Sequence, residues 1–265
     1  MDTQTNSEDL LYEVKDGIGY VTFNRPQSRN ALTFAMYAGL KEICEEVSKG
    51  TDVKVLVLTG AGDKAFAAGT DISQFRAFKT QQDALDYEAR GDKVLGTLER
   101  CPIPIIAAIP GACTGGGFGI AACCDIRIAT ADSRFGFPIA KTLGNCLSMA
   151  NYARLFALLG PAKVKDIVFT ARLIKAEEAL SIGLVSEILP DAEAVKARAA
   201  ELAKTIAGHA PLTIRATKEA MRRVGSKLRL DEDDKDLILM CYMSNDFREG
   251  MEAFLNKRTP VWSGT

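Results

Sequence analysis

Three consecutive glycines, Gly115, Gly116 and Gly117, sit inside the segment GACTGGGFG (111–119). The segment follows an apolar run and opens onto residues 117–124, which read as a short helix. Backbone N–H groups there carry no covering side chains, and a helix N-terminus adds a partial positive charge. Such a place suits an anionic oxygen, either on a phosphate or developing on a reacting carbonyl. Close strand–helix packing that needs glycine is the alternative. A second glycine turn, Ala67-Ala68-Gly69-Thr70-Asp71, also follows a strand-like run. Two such turns at the ends of neighbouring strands could aim two N–H donors at one oxygen, the geometry of an oxyanion hole.

Other chemistries fit less well. Residues 117–122 match a loose G-x-G-x-x-A, but the next strand begins near Asp125 and leaves too short a helix for a dinucleotide crossover. Gly60-Ala-Gly62-Asp63-Lys64 lacks the Gly-Lys-Ser/Thr of a phosphate loop. The chain has 1 histidine, His209, so a multi-histidine metal site is excluded. His209 reads as a capping or surface residue at a helix junction, with a catalytic base as the alternative. The 7 cysteines are odd in number and show no C-x-x-C spacing, which argues against a disulfide framework or a zinc ribbon. They favour a reducing compartment, and we expect a cytoplasmic protein. Cys123 and Cys124 read as packing; Cys146 could line a pocket.

The elements that would position these turns follow from periodicity. Residues 10–23 read as a hairpin around Asp16-Gly17. Thr33 is an N-cap for a helix to about Lys49, with Phe34, Tyr37, Leu40, Ile43, Cys44 and Val47 at helical spacing. Residues 53–58 and 103–109 are continuous apolar strands, as strands covered on both faces would be. Residues 74–99 form a helix or helix pair. Residues 125–130 and 134–137 are further strands. Beyond Ser148 the pattern is helical (149–159, 162–169, 176–181, 191–208, 211–224, 231–243 and 246–256), with a strand only at 184–189. The acids in DEDDKD (231–236) mark a helix start or a solvated face. An α/β core with a helical C-terminal region follows.

Bulk properties agree. The 265 residues are 47% hydrophobic and 25% charged, with a net charge of −1, so neither a nucleic-acid partner nor a solvating acidic tail is indicated. The polar, acid-bearing start has no basic or apolar region of a secretion signal. The longest uncharged run, 101–124, is broken by prolines and glycines and does not suit a membrane span.

Together the two glycine turns resemble the crotonase superfamily, the enoyl-CoA hydratases and isomerases. Residues 17–26 (GIGYVTFNRP), 58–72 (LTGAGDKAFAAGTDI) and 105–128 (IIAAIPGACTGGGFGIAACCDIRI) look like its N-terminal signatures. Residues 176–185 (AEEALSIGLV) and 245–258 (NDFREGMEAFLNKR) resemble its C-terminal ones. The resemblance implies a ββα spiral core over 10–200, a helical trimerisation region over 201–265 and a disordered tail at 1–9. It implies a trimer or a dimer of trimers acting on an acyl-CoA thioester, with coenzyme A as part of the substrate and no further cofactor. The thioester carbonyl would be held by the backbone N–H groups of Thr70 and Gly116. CoA would lie along Arg29, Ala31, Leu32, Ala68, Asp71 and Ile72, and Phe254 and Lys257 would close over it, often from a neighbouring subunit.

Family hydratases use two glutamates at positions that here carry Gly119 and Ile139, the latter after Phe135-Gly-Phe-Pro138. Neither residue can activate water or move a proton. Phe118 and Phe137 would make the pocket more apolar. Candidate substitutes are Asp83, Asp86 and Glu88, and Lys141, Asn145, Cys146 and Ser148. Ordinary hydration is therefore disfavoured. Decarboxylation of a malonyl-type thioester, hydrolysis, and binding without turnover are the readings left open.

Overall fold

The computed structural model describes residues 8–227 and 233–265. Strands β1 (Leu10–Lys15) and β2 (Ile18–Phe23) pair antiparallel around Asp16 and Gly17, both at positive φ, as a two-residue hairpin turn requires. Helix α1 (Phe34–Ser48) starts at Thr33, whose side chain accepts from the Met36 N–H. Its apolar stripe, Met36, Leu40, Ile43, Cys44 and Val47, is buried.

Three strand–strand–helix turns follow. β3 (Val55–Gly60) leads to β4 (Ala65–Ala67), a 3-10 segment (Ile72–Ala77) and α2 (Gln81–Arg100). β5 (Ile105–Ile109) leads to β6 (Ala112–Thr114) and α3 (Gly116–Cys123). β7 (Ile126–Thr130) leads to β8 (Arg134–Gly136), α4 (Ile139–Thr142) and α5 (Met149–Phe169). The rest comprises β9 (Ile174–Lys175), α6 (Ala176–Ser181), β10 (Glu187–Leu189), α7 (Ala192–Ala207), α8 (Pro211–Ser226), α9 (Lys235–Tyr242) and α10 (Asn245–Leu255).

The first strand of each turn joins a large sheet, ordered β1-β2-β3-β5-β7-β10; the second joins a small sheet, β4-β6-β8-β9. Pairing is parallel along β3-β5-β7 and along β4-β6-β8. The chain therefore spirals, laying one strand in each sheet per turn. Every residue of β3 and β5 is buried. Alternate residues serve two cores. Leu56, Leu58, Ala107 and Ile109 join the main core, while Val55, Val57, Ile106 and Ala108 pack with Val195, Ala199 and Ala203 of α7. Their unbroken apolar run is the sequence sign of that two-sided cover.

Some expectations need correction. The small-sheet strands β4, β6 and β9 were not read, and β9 adds a strand after Ser148 besides the expected one. Residues 74–99 divide at Thr80, which caps α2. The 149–159 and 162–169 helices run on as α5, but Gly160 (φ 74°, ψ 158°) breaks the helix before Pro161 as the two separate readings imply. Helix α7 runs across residue 200, and Ala203 packs on the sheet, so the helices beyond the sheet begin with α8. Residues 1–7 of the expected tail and 231–232 of the acidic cluster lie outside the described residues. Asp9 accepts from the Asn24 N–H through its carbonyl and pairs with Arg25.

Candidate active site

The two glycine turns meet because their strands are neighbours. β4 and β6 pair in parallel, so the turns leaving their C-terminal ends lie side by side. Gly69 and Gly115 both have positive φ, 103° and 52°, and a Cβ on Gly115 would lie 3.2 Å from the Gly69 Cα. Thr70 is fixed by a bridge to Leu32. The Leu32 N–H donates to Gly69 O at 2.8 Å, and the Asp71 N–H donates to Leu32 O at 2.9 Å. This pattern leaves the N–H of Thr70 outside the bridge. Gly116 is the first residue of α3, where an N–H has no acceptor within the helix, and the N-cap Gly115 offers no side chain. A Cβ on Gly116 would run into the Tyr37 hydroxyl and come within 3.1 Å of Thr70 Oγ1. The faces of residues 70 and 116 thus share one small space, and two N–H groups there can hold an anionic oxygen.

That space opens into a cavity of about 790 Å³. Arg29, Ala31, Ala68, Thr70, Asp71 and Ile72 line it, with Phe254 of α10. So do Gly116, Gly119, Phe137, Ile139 and Asn145. Four expected residues lie elsewhere. The Leu32 side chain is fully buried in the main core. Phe118 is fully buried and packs on Phe135 and Phe137, because it points from α3 toward the core and not the cavity. Cys146 lies off the wall: its thiol approaches Leu237 O at 3.5 Å, and its bond to the Cys241 thiol pushes its pKa up. Lys257, just past α10 at φ 53°, is not on the cavity wall.

Three tyrosine hydroxyls shape the site. The Tyr37 hydroxyl bonds Thr70 Oγ1 at 3.0 Å, and Thr70 Oγ1 bonds the Tyr87 hydroxyl at 3.0 Å. Burial pushes the Tyr37 phenol up to about 12, so it stays a proton-bearing hydroxyl at neutral pH. Tyr242 donates to Glu88 Oε1 at 2.5 Å and accepts from Asn145 Nδ2 at 3.2 Å. Tyr37 was visible only as one apolar position of a helical stripe; its hydroxyl had no sequence signature.

Among the described residues, Asp71 and Glu88 are the carboxylates on the cavity wall. Burial opposes ionisation of Asp71, but bonds from Ser73 and Arg25 outweigh it and hold its carboxyl below the usual range. Glu88 is 7% exposed. Burial pushes it up to about 7; the Tyr242 bond and the Ser148 N–H oppose that push, and Asp92 and Asp234 add to it. The other candidate substitutes have structural partners or face solvent. Asp83 caps α2, Asp86 accepts from Gln82, Ser148 caps α5 and bonds Asp92, and Lys141 is exposed. Asn145 Oδ1 is buried without a partner among the described residues. His209 is exposed between α7 and α8, and its N–H donates to Ile206 O. Among the described residues no helix is long and apolar enough to cross a membrane.

A ββα spiral whose glycine turns converge beside one cavity is the architecture of the crotonase superfamily. Within it, the chain belongs to the enoyl-CoA hydratase/isomerase family, whose model matches residues 13–265. It is 35% identical over 253 residues to the short-chain-enoyl-CoA hydratase of Clostridium acetobutylicum, covering 94% of this chain and 95% of that one. A crystal structure of an enoyl-CoA hydratase/carnithine racemase from Magnetospirillum magneticum superposes with a TM-score of 0.80 at 35% identity, over 99% of this chain and 97% of the other. A methylmalonyl-CoA decarboxylase in complex with 2-nitronate-propionyl-CoA superposes with a TM-score of 0.86 at 27% identity, over 97% and 98%.

Proposed function

We propose that this chain acts on an acyl-CoA thioester through a stabilised enolate, without the paired-carboxylate hydration of an alkene. The observation that carries the reading is the make-up of the cavity wall. Thr70 and Gly116 line the cavity beside one another, while α3 and α4 present Gly119 and Ile139 to it. The first pair can hold an enolate oxygen. The second pair offers neither a base for water nor an acid for the adjacent carbon.

Decarboxylation of a malonyl-type thioester suits such a wall, because the C–C bond to the carboxylate supplies the electrons of the enolate and no proton need be abstracted. The structural likeness to a methylmalonyl-CoA decarboxylase supports this choice. Arg29, Lys41, Arg90 and Lys93 line the same cavity and give the CoA phosphates cationic partners. The scheme calls for no cofactor besides the CoA of the substrate. Self-association as a trimer or hexamer is part of the reading. Of the 13 large apolar side chains that are exposed among the described residues, 11 lie beyond residue 150, which is where a covering partner would sit. Lys257 is then free to serve a neighbouring copy's cavity.

The test pairs two assays on purified protein: loss of enoyl-thioester absorbance with crotonyl-CoA, and release of carbon dioxide from methylmalonyl-CoA. We expect decarboxylation with little hydration. Rapid hydration overturns the reading. Thioester binding with neither reaction leaves a binding homologue, for which the hydratase relatives would be ancestors in fold only.

A further inference from the structure

We propose that Glu88 is the catalytic acid/base of this cavity, exchanging a proton with the carbon next to the thioester carbonyl, and that Tyr242 positions it. The inference rests on the enolate reading above and adds the residue that handles the proton.

Tyr87 points to the Thr70 side chain, so this turn of α2 stands against one half of the oxygen site. Glu88, the next residue, lies on the cavity wall with Gly91 and Leu95, three and seven positions on along one helix face. Leu95 is the side chain that a Cβ on Gly119 would meet, at 3.6 Å. One face of α2 therefore runs from the oxygen site to the place where the α3 wall has no side chain. Glu88 follows Tyr87 at the end nearer Thr70, and the proposal puts the carbon beside a held carbonyl within its reach.

The other cavity carboxylate is already engaged: Asp71 is paired with Arg25 at 3.0 Å. Among the described residues Glu88 makes no ion pair, although Lys41, Arg90 and Lys93 line the same cavity. Around it stand Asp92 on its own helix, Asp234 before α9, Tyr242 and Cys241 on α9, Cys146 and Asn145 in the 143–148 loop, the Ser148 N–H at the start of α5, Tyr152 on α5, Tyr37 on α1 and Tyr87. Charge and burial both favour its neutral form, and the hydroxyl of Tyr242 holds one oxygen in place. A carboxyl poised near neutral pH can give and take a proton with similar ease.

The step balances as follows. When carbon dioxide leaves a malonyl-type thioester, the electrons of the broken C–C bond form the enolate, whose oxygen lies on the N–H groups of residues 70 and 116. The Glu88 O–H bond breaks and a C–H bond forms at the enolate carbon. Glu88 regains its proton from water. In reverse, ionised Glu88 takes a proton from that carbon of a simple acyl-CoA.

The reverse step provides the test: exchange of the α-hydrogens of propionyl-CoA in deuterium oxide, followed by NMR, with binding measured separately by calorimetry. We expect wild-type exchange to rise with pH through about 7, as Glu88 ionises. Glu88→Gln, nearly isosteric and checked for folding by circular dichroism, should slow exchange by about 100-fold or more while propionyl-CoA binding stays within about threefold. Tyr242→Phe removes the bond that holds the acid down and its oxygen in place, so the midpoint should move to higher pH and the exchange plateau should fall several-fold. Exchange in Glu88→Gln within a few-fold of wild type overturns the proposal. So does wild-type binding without exchange. An unmoved midpoint in Tyr242→Phe removes Tyr242 from it. Failure of the wild-type protein to bind propionyl-CoA would instead sink the enolate reading of the site itself.

Discussion

The glycines of the 115–117 triplet serve three different purposes. Gly115 takes a positive φ, Gly116 leaves room beside the Tyr37 hydroxyl, and Gly117 is pressed against the Ala67 backbone. Substitutions should therefore separate function from stability. Gly116→Ala displaces only a side-chain end and should leave urea stability within about 1 kcal/mol of wild type, yet lower kcat/KM by about 100-fold. Gly117→Ala must move backbone and should cost about 1–3 kcal/mol or more in the same titration. Equal losses in both would remove the distinction. Glu88 gives a pH signature. Its native pKa of about 7 lies above its ordinary 4.5, so its contribution to stability is full below 4.5 and is lost as pH rises through 7. Relative to Glu88→Gln, wild type should lose on the order of 3 kcal/mol across that window, read from urea midpoints at pH 4 and pH 8. The sequence exposes glycine spacing directly, so the two turns that meet beside the cavity could be read from it. It did not expose which of Asp83, Asp86 and Glu88 faces inward, because that depends on where α9 and the 143–148 loop pack against α2.

At the scale of elements, long apolar runs and caps were legible: the hairpin, α1 from Thr33, and the two-sided strands β3 and β5. The three-residue strands β4 and β6 were not. Ala-Phe-Ala and Ala-Cys-Thr are too short to show alternation, and their pairing comes from the spiral and not from their own composition. Helix α3 has a similarly non-local support. Arg127 of β7 is half-buried and donates to Ala121 O at 3.1 Å, to Leu184 O at 2.7 Å and to Cys124 O, so one guanidinium ties the end of α3 to the segment before β10. Arg127→Met would take a donor from three carbonyls, of which Ala121 O keeps the Cys124 N–H, and should destabilise by about 3 kcal/mol. Lysine should recover only part of this, since its single ammonium cannot reproduce the fork. Denaturation of both variants checks the point, and full recovery by lysine would mean that charge alone matters there.

The whole molecule divides its surface unevenly. The parallel strands of the spiral bury their apolar residues, whereas Met221 and Val224 of α8 stand one turn apart and 64% and 65% exposed. No residue of α8 is buried. A helix of this kind gains little from its own chain and should gain from another copy. Sedimentation velocity should give a multiple of the protomer mass, and the double variant Met221→Glu, Val224→Glu should shift it toward the monomer. A wild-type monomer at micromolar concentration would leave those side chains unexplained by self-association. Composition could not show this, because exposed and buried apolar residues count alike in it.

Gly119 differs from the other glycines of its segment. It needs no positive φ, and a side chain there would meet Leu95 at ordinary contact distance. A glycine inside a helix also costs about 1 kcal/mol relative to alanine. Nothing steric holds glycine at this position, so the route back to a carboxylate remains open. Gly119→Glu with Ile139→Glu would place two acids on the α3 and α4 walls, and the double variant should gain hydration of crotonyl-CoA over wild type. In evolutionary terms the door stands open: on the proposed reading, two substitutions and no rebuilding of the fold would separate the two reactions.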